Sequence, residues 1–415
     1  MNMLLNCIAA SFSMKKTIAL VDPLHVGHHL AFMRLFAKSL IDSGQQVIIL
    51  YPNPADITTW LQENLPNGND EFFVFEYDEA GRDYQNLGRF NDTFSTLDRW
   101  FRLRKQLKKH EKQIGVKIDF VFLAWLDSYL ANYLHPRLLN LAFPYPWSGL
   151  YFHPRHLRYY PDKLNAHPSI SEIDVALTSS HCKNVAIHDE GITPLFNKRL
   201  QKPVILFPEI ADDTAPALDY LPAKEIPNKA KQRIVVGITG ILDKMKGLLT
   251  LVRVAKNADA QRFFFVFAGP LRLDDYQEAE QQEITDFIAA DPENCHFELE
   301  YIQEGGHFNA ILNGLDVVYL VYDNFASSSN RLTKAAIFQK YVLAQNRFCV
   351  GEDTQKYNLG ETVEEGNVAQ TLEALDVLEN RIKNEPFPVQ QFEIYREKHS
   401  VKALDDVFKE TLRSI

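Results

Sequence analysis

Short apolar runs alternate with segments of helical period along almost the whole of this chain, and this restricts it to parallel-sheet α/β architectures more than any other feature does. Residues 17–22 (TIALVD) read as a strand. After a loop at 23–29, Leu30, Met33, Ala37, Leu40 and Ile41 recur at helical spacing; Gly44 closes the helix and 47–51 resumes the strand pattern, completing a βαβ unit. Further strands are expected at 72–77, 118–125, 149–152, 175–178 and 204–207. Between Pro203 and Pro227 lie five prolines (203, 208, 216, 222, 227) with Asp212 and Asp213, a composition suited to a linker and to neither helix nor central strand. Beyond it strands are expected at 234–238, 263–268, 296–301 and 317–322, with helices at 247–258, around 278–290, near 307–315 and after Ser329. The rhythm predicts two α/β domains in tandem, which a length of 415 residues accommodates.

Composition excludes other classes. Hydrophobic residues make up 46% and charged residues 24% of the chain, with Gly 18 and Pro 20, so collagenous and disordered readings fail. With 44 basic and 54 acidic residues the net charge is −10, a field that repels nucleic acid, so any anion site is local. Cysteines at 7, 182, 295 and 349 form no CxxC pair, which fits a reducing, cytoplasmic setting and offers no zinc site. No apolar run reaches the roughly 20 residues that span a bilayer. Residues 1–13 are expected to be a disordered extension without the positive start of a secretory signal, with Met14-Lys15-Lys16 as the functional start.

The GxxxxGK[ST], GxGxxG, HExxH and GxSxG fingerprints are absent. Three strand ends followed by small-residue turns remain, and ligands collect at such places in open α/β sheets. Gly240-Ile241-Leu242-Asp243-Lys244-Met245-Lys246-Gly247 combines close backbone approach with Lys246 as a phosphate cation; alternatively it is a Gly turn with solvated lysines. Ser327-Ser328-Ser329-Asn330-Arg331 brings hydroxyls and a helix start together, or is only an N-cap. Asp22-Pro23-Leu24-His25-Val26-Gly27-His28-His29 offers backbone amides at Gly27 and imidazoles for sugar hydroxyls or proton transfer; a metal ligand set is not expected there. His153-Pro154-Arg155-His156 adds a second imidazole pair at another strand end, with Asp127 a candidate donor or acceptor contact.

The order 234–237, Lys246-Gly247, Phe267-Ala268-Gly269-Pro270, Leu315-Asp316-Val317-Val318, then Ser327-Ser328-Ser329 leading to Leu332 and Ala335, resembles a family 4 (group 1) glycosyltransferase of the GT-B fold. Gly27-His28-His29 resembles the family's glycine loop, Thr178-Ser179-Ser180 the end of its last sheet strand before the linker, and Phe207-Pro208-Glu209-Ile210 its strand into the hinge. The resemblance implies two Rossmann-like domains with mostly parallel sheets facing across a cleft. By this resemblance 14–210 is the acceptor domain, 211–232 the linker and 233–390 the nucleotide-sugar domain, with 391–415 a C-terminal helix crossing back. It implies a nucleoside-diphosphate sugar donor, an acceptor that is a sugar, a lipid or another small molecule, and retaining, metal-independent transfer with no required cofactor. Lys246 takes the place of the diphosphate-binding lysine, and Ser328, Ser329 and Asn330 that of the loop whose amides hold the phosphates; Gly240 is a further diphosphate candidate, and Arg331 a candidate for the cation missing at Ile241. Gly27 faces the diphosphate, His153 meets the transferred sugar, and His29 joins His153 as a catalytic candidate beside a contact from His28. Two departures stand out. Ile241 occupies the place of the family's usual Arg, and Lys334 that of the second Glu of its paired motif, whose first falls near Ala326. Lys334 either supplies the missing positive charge or is a solvated helix residue. Two other functions suit the same fold: a non-catalytic sugar-nucleotide-binding scaffold, or a sugar-nucleotide epimerase or phosphorylase.

From Arg99 to Lys112 the sequence RWFRLRKQLKKHEK carries seven basic residues and one acid, with Trp100, Leu103, Leu107 and then Ile114 on one stripe. This is either a surface helix packed on a sheet or a helix that lies on anionic lipid at the inner membrane face.

Overall fold

The computed structural model describes residues 15–25, 29–65, 71–79, 88 and 90–413; the expected extension at 1–13 lies outside them. Strands β1 (Thr17–Val21), β2 (Gln46–Tyr51), β3 (Phe72–Glu76), β4 (Phe120–Leu123) and β5 (Trp147–Gly149) form a parallel sheet in the order β3-β2-β1-β4-β5. Strands β6 (Val185–Ile187) and β7 (Val204–Leu206) pair with each other, and a parallel bridge from Leu150 to Ala186 continues them from the β5 edge. The second sheet is also parallel: β8 (Ile234–Thr239), β9 (Phe263–Ala268), β10 (Cys295–Glu298), β11 (Val317–Leu320), β12 (Tyr341–Gln345) and β13 (Gly360–Val363), in the order β10-β9-β8-β11-β12-β13.

Both sheets bury both faces, which is why their strands read as unbroken apolar runs. In β1, Ile18 and Leu20 pack with Phe36 and Phe122, while Ala19 and Val21 pack on the opposite side with Trp100, Leu103 and Trp147. The helix Asn91–Ile114 lays Trp100, Leu103 and Leu107 on the sheet and turns its basic residues outward.

Each sheet reverses its strand order once, between β1 and β4 in the first and between β8 and β11 in the second. A crevice opens at the carboxyl ends of the strands at each reversal. The segments after β1, β4 and β5 line a cleft opposite those after β8 and β11.

Three sequence expectations need correction. Residues 175–178 are not a strand but part of a 3-10 helix, Ile173–Thr178; four apolar residues in a row suit a buried segment of either kind. The proline-rich linker holds a helix, Leu221–Ala230. Pro222 sits in its first turn, where no N–H is needed, and Ile226 and Ala230 anchor it in the second core despite Pro227. Strands β6, β12 and β13 were not anticipated.

The chain crosses between the lobes twice. The first crossing follows β7. The second lies between the helices Val389–Lys398 and Val401–Arg413. Phe392 and Tyr395 of the former belong to the second core, whereas Leu404, Phe408 and Leu412 of the latter belong to the first, where the Phe408 ring meets Phe36, Phe122 and Phe207 at 5.6, 5.1 and 5.6 Å. The two crossings meet where the Glu209 N–H donates to His399 Nδ1 at 2.9 Å, both residues buried.

Burial, followed by the charge of Lys398, pulls the His399 imidazole down to about 3. A histidine with a lowered folded-state pKa leaves the unfolded chain holding more protons between that value and its ordinary 6.5, so stability must fall as pH drops through this window. For this group the slope is at most about 1.4 kcal/mol per pH unit. Urea unfolding at several pH values should show this slope shrinking in His399→Gln, whose amide oxygen still accepts from Glu209; an identical slope in both proteins contradicts the assignment.

Candidate functional site

The cleft, about 400 Å³, is lined by His29, Trp125, Phe152, His153 and Arg155 from the first lobe and by Lys246, Tyr322 and residues 327–331 from the second, with Glu209 from the crossing. A second hollow of about 270 Å³ lies wholly in the second lobe between Gly240, Gly269-Pro270, Tyr301-Ile302, Glu304 and Phe308. Arg331 lines both.

The second-lobe wall is built on backbone that only glycine tolerates. Gly240 has φ +86°, and a Cβ there would lie 2.5 Å from Lys246 Nζ; Gly269 has φ +132°, and its Cβ would lie 2.1 Å from Gly240 O. Lys246 Nζ donates to Thr239 O at 2.8 Å. Burial, then the neighbouring charge of Arg331, pulls this ammonium down to about 7. Ser329 caps the helix Asn330–Ile337, its hydroxyl accepting from Arg331 N at 3.3 Å. Arg331 lies 4.1 Å over the Phe308 ring and donates to Glu304 at 2.8 Å, but its buried Nε has no hydrogen-bond partner. A guanidinium, a lysine and a helix start thus converge on one wall, a cradle whose chemistry suits an anion.

Two Asp–His pairs face this cradle. His29 Nδ1 lies 2.8 Å from Asp22 Oδ2. Burial raises the Asp22 carboxyl above its usual range against the pull of His29. His153 Nδ1 lies 3.0 Å from Asp127 Oδ1, and the same carboxylate accepts from the backbone N–H groups of Phe152 and His153 at 2.8 and 3.0 Å. Asp127 thus orients His153 and is absent from the cleft lining. The Trp125 and Phe152 rings stack at 4.0 Å between the pairs, an apolar shelf of the kind on which sugar rings rest.

Several sequence candidates lie elsewhere. Gly27 and His28 fall outside the described residues. His156 turns away to the buried Asp174 at 2.8 Å. Lys334 is no solvated residue: it is 1% exposed, absent from both hollows, and bonds Asn309 Oδ1 at 2.6 Å and Glu304 at 3.2 Å. Burial works to raise the Glu304 carboxyl, but Arg331 and Lys334 outweigh it and hold it low. Arg155, Glu209, Glu304 and the Trp125–Phe152 shelf were missed, because their partners are remote in sequence. Among the described residues, no group of three or more His, Cys, Asp or Glu side chains is placed to hold a metal ion.

The lobes are tied around the cleft. Ser328 donates to Glu209, Arg155 Nε to Ser327 Oγ at 2.9 Å, and the Tyr159 hydroxyl to Asn324 O at 2.8 Å. Arg158 bridges Asp189 and Glu352, and against burial Lys356 and Lys398 hold Glu190 down to about 2.

No family model matches the chain, and no curated protein matches it. Solved structures do. Anabaena HepE in complex with UDP is 14% identical, with a TM-score of 0.63 over 96% of this chain and 100% of that one. A glycosyltransferase from Rickettsia africae is 14% identical at TM-score 0.59, over 96% of this chain and 97% of that one. A UDP-forming α,α-trehalose-phosphate synthase from Burkholderia vietnamiensis is 12% identical at TM-score 0.60, over 97% and 100%. At such identities the likeness concerns architecture, and the architecture is the GT-B fold of glycosyltransferases.

Proposed function

We propose that this chain is a glycosyltransferase that takes a sugar from a nucleoside-diphosphate sugar. The observation that carries the reading is Arg331, a buried guanidinium with an unpartnered Nε that borders both the interlobe cleft and the second-lobe hollow. A diphosphate at that border meets the Arg331 guanidinium and Lys246, a nucleoside occupies the hollow by Gly269-Pro270, and the sugar lies on the Trp125–Phe152 shelf. HepE was solved with UDP and with UDP-glucose, which makes a uridine donor the first to test.

The chemistry follows from where charge develops. As the glycosidic C–O bond breaks, negative charge accumulates on the departing diphosphate, where Lys246, Arg331 and the amides capped by Ser329 are already oriented, and no metal ion is assigned to the step. His153, fixed by Asp127, bonds the transferred sugar. Transfer with retention is what the family resemblance implies; the acceptor is a small molecule entering from the first lobe. Inversion is the second reading, favoured by the Asp22–His29 pair, because an imidazole oriented by a carboxylate is suited to deprotonating an acceptor hydroxyl.

The test is release of nucleoside diphosphate from a panel of UDP-, GDP- and ADP-sugars, with NMR of the first-formed anomer deciding between retention and inversion. No release and no thermal shift with any donor refutes the proposal. His29→Ala should lower kcat by roughly 10²- to 10⁴-fold while leaving donor affinity nearly unchanged, whereas His153→Ala should also weaken donor binding, by about 1–3 kcal/mol. Lys246→Ala should cost about 1–3 kcal/mol of donor affinity, and Ser329→Ala about 1 kcal/mol; unaltered titrations in both remove the anion cradle.

A bound diphosphate would raise the Lys246 pKa again, so binding above pH 7 takes up a proton. Affinity for UDP-glucose should therefore be full in mild acid and weaken as pH rises through neutrality, by at most about tenfold per unit. Calorimetry in two buffers of different ionisation enthalpy reads the proton directly, and a pH-independent affinity without uptake contradicts this role.

A further inference from the structure

The helix Asn91–Ile114 shows a second surface, remote from the cleft lining, that sugar transfer does not use. With its apolar stripe committed to the sheet, it turns Lys105, Lys108, Lys109 and Lys112 to solvent. Their basic neighbours are engaged: Arg102 pairs with Asp98 at 2.9 Å, Arg99 bonds Ser128 O, and Arg104 donates to Leu141 O at 3.0 Å. The four lysines have no ion-pair partner among the described residues. On a molecule of net charge −10 this is a concentrated positive face.

The same face is apolar at its margin. Phe101, on the lysine side of the helix, is 48% exposed. The short helix Pro136–Ala142, tethered by Arg104, buries Leu139 and Ala142 and leaves Leu138 and Leu141 exposed at 54% and 74%. Two leucines and a phenylalanine held in water beside four unpaired lysines gain nothing from a phosphate backbone alone. A bilayer interface meets both needs, because acyl chains take the leucines and anionic headgroups take the lysines. Glu111, the acid between Lys108 and Lys112, is engaged instead with the Ile118 N–H and the Tyr145 hydroxyl, both at 2.9 Å. No helix among the described residues is long and apolar enough to cross a membrane, so contact of this kind is peripheral.

We propose that the face formed by Lys105, Lys108, Lys109 and Lys112 with Phe101, Leu138 and Leu141 docks the protein on an anionic lipid surface. The proposal does not depend on what the cleft does.

Co-sedimentation of the full chain with vesicles tests it. Phosphatidylcholine vesicles containing phosphatidylglycerol at about a 3:1 ratio should pellet the protein, and phosphatidylcholine alone should not. Lys105→Glu with Lys108→Glu should weaken binding more than about tenfold, since each basic residue near the surface contributes roughly fivefold. Leu138→Asn with Leu141→Asn should weaken it several-fold without any change of charge. Unaltered melting temperatures in both double variants confirm that the fold is intact. Equal pelleting with both vesicle types, no pelleting with either, or full binding by the leucine variant overturns the proposal. So does binding of a short RNA duplex that depends on the lysines in a protein that ignores vesicles.

Discussion

One buried hydrogen bond joins the two crossings of the chain: the Glu209 amide to the His399 ring. Each lobe has its own core, and each could lean at many angles to the other if a single strand of backbone connected them. Two connections pinned to each other leave far fewer arrangements. The pin works only while the ring nitrogen accepts, which requires a neutral imidazole, and burial holds it neutral. Phe408, caged by three phenylalanines of the first core, anchors the returning helix and keeps the second crossing short.

With the lobes registered, cleft chemistry is a matter of which charges are satisfied. Lys334 and Arg331 share Glu304, so the second lobe resolves its buried charges internally, yet one guanidinium nitrogen is left over and one ammonium is close to losing its proton. The cleft lining of the first lobe differs in kind. It offers imidazoles fixed by carboxylates and a pair of stacked rings, groups suited to hydroxyls and to the apolar faces of sugars.

The architecture was readable because strands buried on both faces are written as apolar runs, and 263–268 was read to the residue. What failed were segments whose state depends on distant neighbours. The run at 175–178 looks the same as strand or 3-10 helix until His156 and Arg199 converge on Asp174. Pro227 hides a helix that Ile226 holds in place. In the site, Lys246 and the serine run were visible because they end strands. Lys334 was misread because Glu304 and Asp212, its partners, come from separate loops. Glu209 was noticed only as hinge sequence, with nothing local to reveal that its carboxylate enters the cleft.

Ser328 has a single hydroxyl proton, and Glu209 takes it across the lobes. That carboxylate belongs to the residue whose amide pins the hinge to His399. One residue therefore fastens the rim of the cleft with its side chain and the joint between the lobes with its backbone.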